Sequence, residues 1–214
     1  MGRVNDSILS GTTGRTGRVV IVNLYGHEYS RIRPRRRTGE PTVKQQLIYQ
    51  RLKNALSFME PYRAYACKYF GNRVGVKSRY NMAMSNVLDA YTIDNDTRTM
   101  TRDDTQIAFA KGPLLGVIPV NLESVTPGNV TFEWFDNSGT TLERQDDQLQ
   151  LLTVPENEND TAFFENIALR KDTTVTVNLT TRASGKTCHV WAAFLDPQSQ
   201  KASNSFYLGA VTIQ

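Results

Sequence analysis

At 214 residues and 39% hydrophobic content, the chain can bury the cores of one large or two small domains. Its apolar runs, such as residues 19–22, are far too short for a membrane-spanning helix, and the Gly-, Thr- and Arg-rich first 18 residues lack the pattern of a secretory signal. Charge is divided: residues 1–80 hold 16 Lys+Arg against 4 Asp+Glu, a net of +12, whereas residues 81–214 hold 9 against 17, a net of −8. Such a split points to a polyanionic partner for the first part, either nucleic acid or an acidic protein surface. Cys67 and Cys188 lie far apart in a chain without an export pattern, so both are expected as thiols. The expected location is the cytoplasm, or a particle assembled there.

Residues 1–17 read as an irregular arm, with Gly2, Gly11, Gly14 and Gly17 interleaved with Arg3, Arg15 and threonines. It is too poor in apolar surface to fold alone. Two β-rich runs around Gly26, residues 18–25 and 27–33, predict a hairpin. Val20, Val22 and Leu24 alternate on one strand, and Tyr29 shares a face with Arg31 and Arg33 on the other. Arg31, Arg33, Arg35, Arg36 and Arg37 then form the densest charge cluster, broken by Pro34. Arginine forks pair with phosphate or carboxylate, so this cluster is the strongest local binding signal.

After Pro41, Thr42 and Gln45 fit a capping box. Ile48, Leu52, Ala55, Met59, Tyr62, Ala66 and Tyr69 follow at helical spacing as one apolar stripe, with Pro61 expected to kink or restart the helix and Gly71 to stop it. The stripe is longer than the first 90 residues can cover, so the sandwich or another subunit would have to complete it. A shorter helix is expected over residues 79–91. Residues 94–116 read as a polar linker. Seven short β-type runs follow at 117–123, 129–136, 148–154, 162–169, 173–181, 188–195 and 205–213, separated by turn residues. That is the pattern of an immunoglobulin- or fibronectin III-like sandwich, with Trp134 and Trp191 as anchors of facing sheets. The expected fold is therefore α+β: an arm and hairpin (1–41), a helical segment (42–93), a linker (94–116) and an all-β sandwich (117–214).

Catalytic chemistry finds little support. Gly11-Thr-Thr-Gly14-Arg-Thr-Gly17 precedes a strand instead of opening a helix and lacks the Lys-Ser/Thr ending of a phosphate loop. His27 and His189 are the only histidines, and Cys188 beside His189 would point to the opposite face of a strand. Asp94, Asp96, Asp103 and Asp104 lack the EF-hand pattern, and Glu156, Glu158, Asp160 and Glu165 read as a solvated loop. An enzyme would need a pocket joining His27 or His189 to carboxylates. No catalytic residue, metal site or cofactor is assigned.

Several motifs carry a resemblance. They are Met1-Gly2-Arg3, Gly14-Arg15-Thr16-Gly17-Arg18-Val19-Val20, Arg33-Pro34-Arg35 and Pro41-Thr42-Val43-Lys44-Gln45-Gln46. Further along stand Lys111-Gly112-Pro113-Leu114, the run from Val130 through Trp134 to Gly139, and Ser203-Asn204-Ser205-Phe206-Tyr207-Leu208-Gly209. In these the chain resembles an uncharacterised family of Bacteroidota and phage-like proteins, over nearly its full length. That family has no assigned activity, so the resemblance implies fold and lineage and supplies no catalytic residues.

The reading that results is a non-enzymatic structural protein, a repeated subunit of a phage-like virion or other large assembly. Its basic region, Arg15, Arg18, Arg31, Arg33, Arg35, Arg36, Arg37, Lys44 and Arg51, would dock on acidic surfaces. Ile48, Leu52, Met59 and Tyr62 would form an interaction helix. The expected partners are further copies or other structural proteins, with no membrane and no small-molecule substrate. Nucleic acid bound by the Arg cluster is the alternative.

Overall fold

The computed structural model describes residues 2–35, 38–139, 142–179 and 183–214, with backbone only at 142 and 143. The chain divides into two units, Met1–Thr42 with Val74–Val76, and Val43–Arg73 with Lys77–Gln214.

The first unit is a four-stranded antiparallel sheet of β1 (Gly2–Val4), β2 (Gly14–Thr16), β3 (Val19–Leu24) and β4 (His27–Ile32), in the order β1-β4-β3-β2. The expected hairpin is β3–β4. Its two-residue loop places both Tyr25 (φ 55°) and Gly26 (φ 84°) in the left-handed region, the requirement of a type I′ turn. A second tight turn joins β2 to β3, with Gly17 (φ 60°) in its first central position as type II′ demands. The presumed irregular arm thus supplies both edge strands. Three-residue strands leave no readable alternation, but hydrogen bonds from the hairpin hold them, and the Glu28 carboxylate accepts from Ser10 Oγ (3.1 Å) and Gly11 N–H (2.8 Å).

In the second unit Pro61 divides the apolar stripe as expected, into α1 (Val43–Met59) and α2 (Arg63–Tyr69). α3 (Arg79–Ala90) is capped by Ser78, whose hydroxyl accepts from Asn81 N–H at 3.2 Å. A hairpin, β5 (Tyr91–Asp94) and β6 (Thr99–Arg102), instead spans the end of the expected helical segment and the start of the expected polar linker. Asp94 closes its turn by accepting from Asp96 N–H and the Thr97 hydroxyl, an exchange that a reading by hydrophobicity misses.

The remaining strands are β7 (Pro119–Glu123), β8 (Asn129–Trp134), β9 (Gln148–Pro155), β10 (Ala162–Phe164), β11 (Thr174–Asn178), β12 (Thr187–Asp196), β13 (Lys201–Ala202) and β14 (Phe206–Thr212). A one-turn helix, α4 (Leu142–Gln145), lies before β9. One sheet runs β11-β8-β7. The other runs β10-β9-β12, with β13 and β14 both paired to β12. All neighbours are antiparallel, and the two sheets form a fibronectin III-like sandwich. The fold is α+β, as the sequence pattern requires.

The β9–β12 sheet is buried on both faces. Leu149 and Leu151 of β9, with Val190, Ala192 and Phe194 of β12, join Val130, Phe132 and Trp134 of β8 in the sandwich core. The alternate residues, Leu152, Val154, Trp191, Ala193 and Leu195, join Ala55, Phe58, Met59, Tyr62, Ala66, Ala83 and Val87 from the helices in a second core. Trp134 is a sandwich anchor, but Trp191 is not: it belongs to the helix-facing side of its sheet and meets Phe58 edge-on, ring centroids 6.1 Å apart. Period-two alternation across a doubly buried strand makes this division.

Buried polar groups pin the sandwich. Arg170 is 0% exposed and donates from Nε (3.1 Å) and a terminal nitrogen (2.9 Å) to the Asp147 carboxylate. It also donates to the Leu115 carbonyl (2.9 Å) and to Asn137 Oδ1, and its guanidinium stacks on the Phe194 ring. Among the described residues no helix is long and apolar enough to cross a membrane.

Candidate functional site

The type II′ turn between β2 and β3 and the exit of β4 bring arginines together. Arg33 N–H donates to the Arg18 carbonyl at 2.8 Å, which ties the departing chain to the turn. The result is a cleft of about 420 Å³ lined by Arg15, Gly17, Arg18, Ile32, Arg33, Pro34 and Arg35. None of these four arginines forms an ion pair with a described carboxylate. Over residues 1–42 eight arginines stand against Asp6, Glu28 and Glu40, a net of +5. Four guanidinium forks at one opening provide donors in the geometry that carboxylates and phosphates accept.

Arg31 is not in the cleft. Strand register aligns Arg15, Val20 and Arg31 on three neighbouring strands, so Arg15 and Arg31 share a sheet face with Tyr29 and Arg3. Arg36 and Arg37 lie outside the described residues. Lys44 and Arg51 belong to the other unit, where they border a depression of about 590 Å³ with Ile48 and Asp89. Arg51 is engaged there, donating from Nε to the Leu88 carbonyl at 3.1 Å. The expected interaction helix is split by burial. Ile48 and Leu52 are 56% and 43% exposed, whereas Met59 and Tyr62 are 1% and 0% exposed in the helix–sheet core. A stripe read as one surface serves two environments, because only the second half of α1 reaches the β9–β12 sheet.

A second site drew no sequence signal. His189 Nε2 stands 3.3 Å from Asp104 Oδ2, and His189 Nδ1 lies 2.7 Å from the Tyr207 hydroxyl. Asp104 also accepts from Arg102 Nε at 2.6 Å. These side chains open on a cavity of about 450 Å³ bordered by Asn54, Tyr91, Asp103, Glu156, Asn157 and Asn159. Burial, together with the nearby Asp104, Asp103 and Glu156 carboxylates, holds the Tyr207 phenol above its ordinary pKa, so it stays protonated. Asp103 is held below the usual carboxylate range by hydrogen bonds from Thr105 and Gln106. The cavity joins a histidine to carboxylates, a combination for which the sequence offered no reason. Asp104 and His189 are 85 positions apart, and only the pairing of β12 with β14 and the turn after β6 brings them together. Among the described residues no group of three or more His, Cys, Asp or Glu side chains could hold a metal ion.

A family profile matches residues 11–209, nearly the whole chain. The chain belongs to DUF6266, a family of unknown function. The DUF6266 assignment agrees with the resemblance to an uncharacterised family, and no curated protein matches the chain. Among solved structures, the fibronectin III domain of the human collagen alpha-1(XX) chain is similar at 15% identity, covering 46% of this chain and 85% of that one, with a TM-score of 0.36. The fibronectin III domain of human contactin 1 follows at 8% identity, covering 49% and 83%, with a TM-score of 0.33. Chicken CNTN1 FN1-FN3 domains are 9% identical, with 47% and 33% covered and a TM-score of 0.31.

Two of the motifs behind the resemblance meet in the DUF6266 structure, and their role is structural. Ser205 Oγ accepts from Phe109 N–H (3.1 Å), and Asn204 Oδ1 accepts from Gly112 N–H (3.2 Å). The buried Ser203 hydroxyl accepts from Phe194 N–H at 2.9 Å. Ser203-Asn204-Ser205 thus clamps the segment holding Lys111-Gly112-Pro113-Leu114 against the sheet.

Proposed function

We propose that this DUF6266 chain is a non-enzymatic assembly protein whose first unit docks on carboxylate-rich protein surfaces, including those of further copies, as a repeated subunit of a phage-like particle or another large assembly. The carrying observation is the cleft lined by Arg15, Arg18, Arg33 and Arg35 with no described carboxylate as ion-pair partner. Residues 81–214, at net −8, supply acidic surface on each further copy. Electrostatic docking of exposed charges weakens with salt, because the screening length falls from about 14 Å near 0.05 M to about 4 Å near 0.5 M.

The test is sedimentation at those two salt concentrations for the native chain and for Arg15→Ser/Arg33→Ser/Arg35→Ser. Oligomers present at low salt, reduced at high salt and absent in the variant are expected. A monomer at both concentrations, or an assembly that the variant leaves intact, overturns the reading.

A second reading is nucleic-acid binding, favoured by the sheet face that places Tyr29 between Arg3 and Arg31 and carries Arg15. Basic groups beside an aromatic ring suit a single strand. Its mark would be a gel shift at low salt, with log K falling against log salt at a slope of roughly −3 to −4 for four phosphate contacts. No shift at low salt removes it.

A further inference from the structure

The cavity around His189 is built as a binding site. Its floor is a chain of hydrogen bonds. Asp104, held by Arg102, acts as acceptor, so His189 Nε2 carries the hydrogen it presents to Asp104. His189 Nδ1 and the Tyr207 hydroxyl are joined by a hydrogen bond of 2.7 Å. In either direction of that bond the Tyr207 oxygen keeps a lone pair for a ligand. Arg102 also donates to Asn159 Oδ1 at 3.3 Å, and that oxygen accepts from the Tyr91 hydroxyl at 2.6 Å. Asn159 is thereby oriented with its amide N–H groups left over. Around the rim the side chains of Asn54, Glu156 and Asn157 have no hydrogen-bond partner among the described residues.

The class of ligand follows from what is spent and what is free. Arg102 is neutralised by Asp104, so no uncompensated positive charge faces the cavity, and Asp103 and Glu156 repel phosphates and carboxylates. Asp104 is already engaged by Arg102 and His189 and Asp103 by Thr105 and Gln106, which leaves fewer of their oxygen sites for a free cation. The groups that remain include both donors and acceptors. A cation offers donors alone, whereas a hydroxyl group offers both. Next to them the rings of His189 and Tyr207 lie near parallel with centroids 5.9 Å apart, giving an aromatic wall beside the other polar groups. A volume of about 450 Å³ accepts one or two sugar rings. We propose that this cavity binds an uncharged polyhydroxyl ligand, a mono- or disaccharide, with Tyr207, Asn159 and Glu156 as its hydrogen-bonding contacts. The site lies within the second unit and does not rest on the assembly reading.

Titration calorimetry and saturation-transfer NMR test it with glucose, galactose, mannose, N-acetylglucosamine and maltose, beside glucose 6-phosphate and argininamide as charged controls. At least one neutral sugar is expected to bind and to outcompete both controls. Tyr207→Phe should weaken it about fivefold, and Glu156→Ala, a rim change without folding consequence, about tenfold. Arg33→Ser should leave it unchanged. The proposal is overturned if none of the five sugars binds, if a charged control binds more tightly, or if sugar binding survives both cavity substitutions.

Discussion

Replacing Gly112 by alanine tests the clamp that closes the second unit. A Cβ at this position would stand 2.9 Å from the carbonyl carbon of Ala202 and nearer still to its oxygen, and real Cβ atoms do not approach backbone so closely. Gly112 is not among the positive-φ glycines, so collision is the whole effect. Relief requires the 112–114 segment to move off β13. That movement strains or breaks the bonds from Gly112 N–H to Asn204 (3.2 Å) and from Leu114 N–H to the Ala202 carbonyl (3.2 Å). Two hydrogen bonds at about 1 kcal/mol each, with about 1–3 kcal/mol for overpacking, give a loss of about 3–5 kcal/mol. For a unit of this size that lowers Tm by about 6–20 °C. Tryptophan fluorescence during thermal and urea unfolding is the assay, because both tryptophans, Trp134 and Trp191, lie in the second unit. Gly116→Ala is the internal control. Its nearest neighbour would be 3.9 Å away, an ordinary contact, so it should be neutral or stabilising by about 0.4–1 kcal/mol. A Gly112→Ala loss below about 1 kcal/mol, or equal effects at the two glycines, would refute the steric argument.

Two further outcomes are expected. Burial pushes the Asp147 carboxyl up and the Arg170 guanidinium down even though they pair, so desolvation outweighs their attraction. Asp147→Ala, which strands the buried guanidinium, should cost about 3–5 kcal/mol, while Asp147→Leu combined with Arg170→Met should cost less than that single change; urea denaturation of both variants decides the point. Cys67 is exposed and Cys188 buried, the latter with its thiol raised by desolvation and by Glu158. A thiol reagent should therefore label one cysteine rapidly in the native protein and the second only on unfolding, as peptide mass mapping would show.

The sandwich was legible because its strands alternate. Val175, Val177 and Leu179 pack on the core, and each of the seven expected runs contains a strand. Chain-breaking residues were equally readable: Pro61 between two helices and Gly26 in a tight turn act through local backbone geometry that needs no partner. The arginine cluster was visible as charge density, and two of its members, Arg33 and Arg35, meet Arg15 and Arg18 at one cleft. Lys44 and Arg51 belong to the other folding unit, a division that nearness in sequence does not reveal.

What escaped were relations between distant positions. The strands β1, β2, β5 and β6 are three or four residues long, below the length at which a period shows, and pairing alone stabilises them. Trp191 and Val190 are neighbours in sequence yet belong to different cores, a division visible only once helices cover one face of β12 and a sheet the other. His189 read as an isolated histidine until β14 set Tyr207 beside it and the turn after β6 supplied Asp104. Local order, charge and breaks are written in short windows of chain. Cavities, buried ion pairs and clamps require residues that sequence holds apart, so they came into being only with tertiary packing.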